Sequence, residues 1–371
     1  MAHIITDLEL FWVEKALPTV VSDATAFTIS SSSMFAVRLT TNEGFSGYGM
    51  TFSSGGMAPA LAAFIDEVLK PAVIGLDPLC HEHIWNALLQ ANSYSGRKGL
   101  TISALSAIDI AVWDLKGKIL GLPIYKLLGG SERLVRTYAS GGWVSMSLEE
   151  VIEEAELRVA EGYDVIKIKV GVEGGRNVRE DARRVEGVRR AVGDALEIIV
   201  DANGIWEPAT AVRFAGMIKD CDISLFEEPV MSDDIPGLRD VRRMTGMAVG
   251  TGEHEYTRFG ARSLIEAGAV DVMQCDITRV GGFTEMQKIS AMTGAWNLRL
   301  APHAWEFAGA HLLSSAPHGL YLEKMLTQET IFQTVMANYP LPKNGYYEIP
   351  DHPGLGFEFD LEFLKGANRL K

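Results

Sequence analysis

Residues 164–253 carry four short apolar runs that each end in acids or amines: DVIKIKV (164–170), EIIVDAN (197–203), DISLFEEP (222–229) and MAVGTGE (247–253). Each run is rich in β-branched residues, as strands are. Helical segments separate them, among them VREDARRVEGVRRAVG (178–193). Outward from this core the pattern continues. VRTYASG (135–141) comes before it, and AVDVMQCD (269–276), LRLAPH (298–303) and GLYLE (319–323) come after, with LEEVIEEAELRVAEG (148–162) and FTEMQKISAMTGA (283–295) as further helices. Eight strands separated by single helices predict an α/β chain whose parallel strands close into a barrel. An open doubly wound sheet is the alternative. It usually carries a glycine-rich phosphate loop after its first strand. Neither GxGxxG nor GxxxxGK[ST] is present, and Gly171, Gly174 and Gly175 follow the second strand at the wrong spacing.

The flanks differ in texture. Residues 1–55 read as strands broken by Asn-Glu-Gly and Gly-Gly turns, and residues 57–121 read as helices ending at Gly121 before Pro123. The predicted organisation is an α+β capping domain at 1–127, a barrel at 128–330, and a loop-rich tail at 331–371 that packs back on the cap. Ser30 to Ser33 reads as a candidate mobile tract.

Composition narrows the function classes. The 371 residues are 47% hydrophobic and 22% charged, which excludes a disordered chain. The net charge of −14 argues against nucleic acid as a partner, because phosphate binding needs clustered Lys and Arg. No apolar run approaches a membrane span, and the first residues lack the pattern of a cleaved signal. Three cysteines, Cys80, Cys221 and Cys275, show no CxxC spacing. A cytoplasmic enzyme without disulfides or structural zinc is expected.

Active sites of parallel barrels lie at the carboxyl ends of the strands. The second strand ends Lys167-Ile-Lys169, and residues two apart share a face, so both amines point inward. The third ends Asp201-Ala-Asn203, the fourth Glu227-Glu228, the fifth Glu253-His254-Glu255, the sixth Asp276, the seventh His303 and the eighth Glu323. Each alone has a plainer reading: a snorkelling lysine, a helix-capping aspartate, a solvated glutamate, a core histidine. Together they converge. Asp201, Glu227 and Glu253 are spaced by 26 and 26 residues, one strand–helix unit each. Two carboxylates about 4 Å apart repel by roughly 4 kcal/mol at an effective dielectric near 20. Such a group must protonate, separate or hold a cation, and oxygen ligands suit Mg²⁺ better than zinc.

With these motifs the chain resembles the enolase superfamily, and within it the mandelate racemase subgroup. The carriers are Lys167-Ile-Lys169, Val200-Asp201-Ala202-Asn203, Phe226-Glu227-Glu228-Pro229, Gly252-Glu253, Asp276, Pro302-His303, Glu323 and the stretch AIDIAVWDLKGK (107–118). The resemblance implies a modified (β/α)7β barrel of the TIM type, capped by the amino-terminal region and the carboxy-terminal tail. It implies Mg²⁺ held by Asp201, Glu227 and Glu253. It implies Lys169 as base on one face of the substrate, and His303 oriented by Asp276 as acid or base on the other. Glu323 would hydrogen-bond the substrate carboxylate, donating if protonated, with Lys167 beside it; Asn203 would contact substrate or tie the metal loop. The muconate-lactonizing subgroup has a lysine where this chain reads Cys275-Asp276-Ile277-Thr278, so that subgroup is set aside.

Lys169 must be partly neutral to act as a base, and His303 is expected to rest neutral in a tautomer fixed by Asp276. The same site serves dehydration, racemisation or cycloisomerisation, so the cap chooses. Leu17 to Ser33, Gly47 to Gly56 and Tyr94 to Lys98 are rich in Ser, Thr and Gly, which favours a hydroxylated substrate. The expected activity is a Mg²⁺-dependent acid-sugar dehydratase that turns an aldonate or aldarate into its 2-keto-3-deoxy acid through an enediolate, in a homo-oligomer. The alternatives are a sugar-acid cycloisomerase, a 2-hydroxy-acid racemase or epimerase, and a catalytically inactive sugar-acid binder.

Overall fold

Alternation of apolar and polar residues starts the structure. In a computed structural model that describes residues 3–25, 27–53, 56–94, 96–337 and 339–370, strands β1 (Ile5–Ser22), β2 (Thr28–Thr41) and β3 (Ser46–Thr51) form an antiparallel sheet in that order. Leu8, Phe11 and Val13 of β1 and Met34 to Val37 of β2 are buried. The hairpin is longer than the sequence suggests. Ser31, Ser32 and Ser33 pair with Ala16, Lys15 and Glu14, so this part of the serine tract is a paired strand rather than a mobile tract. The register is irregular between Ala16 and Val21, around Pro18, which cannot donate to the ladder.

A helix at Leu100–Leu120 joins cap to barrel. Fifteen of its residues are buried, on all sides, as a helix sandwiched between layers requires. Against the cap sheet it lies so close that a Cβ on Gly49 would stand 1.9 Å from the Ala107 carbonyl oxygen. Only glycine permits this approach. The helix stops at Gly121, whose φ of 67° is the left-handed conformation of a carboxyl cap.

The barrel strands are β4 (Leu134–Gly141), β5 (Val165–Lys169), β6 (Glu197–Asp201), β7 (Ile223–Glu227), β8 (Val249–Thr251), β9 (Val272–Met273), β10 (Arg299–Leu300) and β11 (Leu322–Met325). They run parallel in chain order, with β11 beside β4. Hydrogen bonds of Leu300 to His318 and Leu320 close the ring. Tyr138, Val165, Ile199, Leu225, Val272 and Tyr321 fill its lower interior. At roughly 1.5–3 kcal/mol per buried large apolar side chain, such a plug makes a rigid base for the polar layer above it.

The tail touches both parts. β13 (Tyr346–Glu348) pairs antiparallel with β4, and β12 (Met336–Ala337) pairs with β14 (Glu358–Phe359). Asn368, just past the last helix, takes the N–H of Trp12 at 3.0 Å and donates to the Leu10 carbonyl at 3.1 Å. Among the described residues no helix is long and apolar enough to cross a membrane.

Cap and barrel meet in polar contacts. Thr51 donates to the Thr278 carbonyl at 2.8 Å, and Val144 N–H donates to Ser22 at 3.2 Å. Asp109 of the long helix accepts the Thr284 N–H at 3.0 Å. Burial pushes the Asp109 carboxyl up to about 7, although the Thr284 hydrogen bonds favour the charged form. The unfolded group titrates near 4. Between those values the folded protein keeps a proton that the unfolded chain releases, so stability falls as pH rises from about 4 through 7. Denaturant unfolding at pH 5.5 and pH 8 should show this loss, on the order of 1 kcal/mol per pH unit, and Asp109→Asn should abolish its share of the slope.

Candidate active site

The strand register lines up the predicted groups. Lys169 lies across from Asp201, and Asp201 across from Glu227. Lys169 Nζ is 2.5 Å from Asp201 Oδ2. Lys167 Nζ is 2.6 Å from Glu227 Oε1, 2.7 Å from Glu323 Oε1 and 3.6 Å from Asp201 Oδ2. On the other side His303 Nδ1 meets Asp276 Oδ2 at 3.0 Å, while its Nε2 lies 3.2 Å from Glu253 Oε2 and 3.9 Å from Glu323 Oε2. Eight of the twelve residues singled out at the strand ends are thus joined in one mouth. Asn203 takes a φ of 45°, donates its N–H to Asp201 Oδ1 at 2.9 Å, and leaves its own buried Oδ1 without a partner.

The charges do not balance. Asp201, Glu227, Glu228, Glu253, Asp276 and Glu323 face Lys167, Lys169, His254 and His303. Six acids against four bases leave an excess of two. Burial, opposed by Lys167 and reinforced by Asp201, lifts Glu227 to about 8. Burial disfavours charge on Lys169, but Asp201 more than offsets it and its pKa is raised. Lys167 is held far above its usual range by Glu227 and Glu323, against the same burial. His303 reaches about 10, because Glu253, Glu323 and Asp276 outweigh its burial. Glu253 falls to about 2 against its own burial, chiefly through His303 and His254.

Two expectations change here. Glu323 lies below the usual carboxylate range, since Lys167 and His303 overcome its burial. Its Oε2 accepts the Ala304 N–H at 2.8 Å and its Oε1 lies 2.7 Å from Lys167 Nζ as an ion pair, an environment for an ionised acceptor rather than a protonated donor. His303 rests as a cation rather than neutral. Both follow from packing carboxylates closer than their charges allow.

The oxygen-rich donor set and the excess of two acids fit a divalent cation. Two groupings offer ligands. Glu228, Glu253 and His254 each bring a ligand atom within 4.8 Å of the others. Asp201 and Glu227 are instead drawn onto the two ammonium groups. Glu228 is already committed to His254 Nδ1 at 2.9 Å, and His254 is 45% exposed. Of the predicted trio, Asp201 and Glu227 are buried and Glu253 is half-buried.

The strand-end reading missed several groups. Ser140, next to last in β4 and across from Lys167, is buried with no hydrogen-bond partner for its hydroxyl among the described residues. Its neutrality hid it among ionisable strand ends, though Tyr138 and Ser140 show the same spacing of two. Gln274 donates to Glu227 Oε2 at 2.7 Å, and a Cβ on Gly250 would meet its Oε1 at 2.2 Å. Trp143 is buried with its ring centroid 5.4 Å from Lys169 Nζ, so aromatic surface reaches the site from the barrel rather than the cap. Within the cap stretches, Ala26, Ser54, Gly55 and Ser95 lie outside the described residues.

Known protein families supply the frame for this geometry. Residues 7–129 match the amino-terminal domain of mandelate racemase and muconate lactonizing enzymes, and residues 150–363 match the enolase carboxy-terminal-like domain. The chain belongs to the mandelate racemase/muconate lactonizing enzyme family. The 3,6-anhydro-α-L-galactonate cycloisomerase of Streptomyces coelicolor is 32% identical over 348 residues, covering 94% of this chain and 95% of that one. The arabinonate dehydratase of Saccharolobus solfataricus is 31% identical over 329 residues, 87% of each chain. The crystal structure of L-talarate/galactarate dehydratase from Salmonella typhimurium, liganded with Mg and L-lyxarohydroxamate, superposes with a TM-score of 0.92 at 29% identity, covering 100% of this chain and 94% of that one. The family thus pairs this fold with enzymes of two reaction types, dehydratases and cycloisomerases.

A direct consequence of the charge excess can be measured without substrate. Glu227→Gln leaves Lys167 its second counter-ion, Glu323 at 2.7 Å, so unfolding in chelator at pH 7 should change by no more than about 1 kcal/mol. Asp201→Asn strips Lys169 of its buried counter-ion and should cost about 3–5 kcal/mol.

Proposed function

We propose that the protein is a Mg²⁺-dependent acid-sugar dehydratase that converts an aldonate or aldarate into its 2-keto-3-deoxy acid. The observation that carries this reading is the placement of Lys169 and of the His303–Asp276 pair on opposite sides of one buried carboxylate cluster. A binding protein has no need of acid–base groups on both flanks. Asp201, Glu227 and Glu253 would hold the metal, which when bound supplies Lewis-acid stabilisation to the substrate carboxylate.

The chain's own groups do the rest. Lys167 donates hydrogen bonds to the carboxylate of the substrate, held in place by Glu323. Ser140, unpartnered beside Lys167, adds a neutral donor to the same oxygens. Charge that grows on those oxygens as the α-proton leaves is met by donors already in position. Lys169, once it has given up its own proton to solvent, takes the α-proton as a neutral amine. His303 carries a proton at rest, and Asp276 fixes its Nδ1 so that Nε2 faces the substrate. That proton passes to the β-hydroxyl, which departs as water, while the C–H electron pair forms the new double bond. The resulting enol tautomerises to the keto acid. In a syn elimination His303 would first have to lose its resting proton; it would then take the α-proton and deliver it to the leaving oxygen, with Lys169 serving substrates of opposite α-configuration.

A cycloisomerase is the second reading, supported by the cycloisomerases among the relatives. It uses the same proton abstraction and differs only in which oxygen leaves. The hydroxyl-rich cap hairpin favours polyhydroxylated acids in both cases. Homo-oligomeric assembly and a cytoplasmic setting belong to the same proposal.

The deciding experiment screens a library of acid sugars, with Mg²⁺, for 2-keto acid formation. Turnover of an aldonate or aldarate is expected, with little on aromatic 2-hydroxy acids; a mandelate-like best substrate would refute the substrate class. His303→Asn should lower dehydration by about 10²-fold or more, the usual worth of general-acid help. Glu227→Gln should fold normally yet lose Mg²⁺ binding and turnover together, as isothermal titration and steady-state rates would show.

A further inference from the structure

His303 is followed by two residues in an uncommon conformation. Ala304 and Trp305 both have φ of 48°, consecutive left-handed positions filled by side-chain-bearing residues. Such a turn persists only where its surroundings over-determine it. On the inner side of the barrel wall the turn is pinned by the Ala304 N–H, which donates to Glu323 Oε2 at 2.8 Å. On the outer side it is pinned by Glu306, the first residue of the helix Glu306–Ser314. Its carboxylate is fully buried, accepts from Lys324 Nζ at 2.8 Å, and accepts the hydroxyl of Tyr339. Lys324 follows Glu323 in β11 and so projects to the opposite face of that strand.

The two segments that carry His303 and Glu323 inside the barrel are therefore bolted together outside it by Glu306 and Lys324. Tyr339 comes from the carboxy-terminal segment; its ring is tilted against that of Phe332, centroids 5.5 Å apart, and lies under Lys324 at 5.3 Å. A buried ion pair is a poor way to gain stability, since an apolar pair of the same shape usually does as well. What it does provide is fixed geometry, and the geometry fixed here is the 3.9 Å approach of His303 Nε2 to Glu323 Oε2.

We propose that Glu306, gripped by Lys324 and Tyr339, is a positioning residue that sets His303 against Glu323, so that the carboxy-terminal segment governs the acid–base geometry from outside the barrel. This rests on the reading of His303 as an acid–base group given above.

The test uses the full chain with Mg²⁺ and compares the wild type with Tyr339→Phe and Glu306→Gln. Thermal unfolding, kcat and KM on the best acid sugar are measured, together with the imidazole nitrogen NMR signals of His303, assigned through His303→Asn. Tyr339→Phe keeps the ring and removes only the hydroxyl; Tm should move by less than about 4 °C. Its kcat should fall about 3–10-fold with KM within about twofold, the pattern of an interaction expressed in the transition state. Glu306→Gln should lower kcat by about 10–100-fold, the scale on which small misplacements cost rate. Lys324 keeps Glu329 at 3.5 Å in that variant. Both substitutions should shift the His303 signals. The proposal is overturned if kcat per folded molecule stays within about twofold in both variants, or if the His303 signals do not move. Should Glu306→Gln fail to fold, Tyr339→Phe decides alone. A wild-type protein that turns over no acid sugar would refute the proposed function, and the His303 signals would still decide this inference.

Discussion

Six carboxyl groups forced into one barrel mouth, with too few bases to neutralise them, are the constraint around which the rest is arranged. The strands bring them there because each turn from strand to helix ends on a polar residue facing the axis. The two lysines and two histidines lie directly against those carboxyls: Lys167 on Glu227 and Glu323, Lys169 on Asp201, His254 on Glu228, and His303 on Asp276 and Glu253. Every acid in the mouth thus shares its counter-charge with a neighbour, so a change at one of them is felt by the others.

Much of this was legible in the sequence because barrels are periodic. The runs that end in Lys167-Ile-Lys169, Asp201, Glu227, Glu253, Asp276, His303 and Glu323 announce both the strands and their facing ends. What was not legible depends on burial and on partners distant in sequence. Ser140 looks like any serine until its neighbours exclude water from it. The ionised state of Glu323 and the charged state of His303 depend on distances between strands two, five, seven and eight that no local pattern encodes. Ser31 to Ser33 read as loop because polar residues are poor strand formers, yet pairing with Glu14 to Ala16 decides their structure. Glu306 and Tyr339 were invisible for the same reason: one opens an ordinary-looking helix and the other sits in a loop-rich tail.

Rigidity and choice are divided between the two parts of the molecule. The barrel supplies a polar layer over an apolar plug, with positions set to within hydrogen-bond distance. The cap supplies a long hairpin that meets the barrel near Ser22, whose N–H donates to Ser145 Oγ, and near Ala24, beside Gly171. Different hairpins on an unchanged barrel can present different hydroxyl-binding surfaces to the same proton-transfer groups. Relatives with about 30% identity accordingly include both dehydratases and cycloisomerases.

The tie between Trp12 and Asn368 joins residues 356 positions apart. A ribosome adds about 5–20 residues each second, and amino-terminal parts ordinarily fold as they emerge. Here β1 lacks Asn368, and β4 lacks its antiparallel neighbour at Tyr346–Glu348, until the segment that carries both has been made. The polar mouth itself needs no residue beyond Glu323, so the segment beyond it serves to tie the amino-terminal sheet to the barrel.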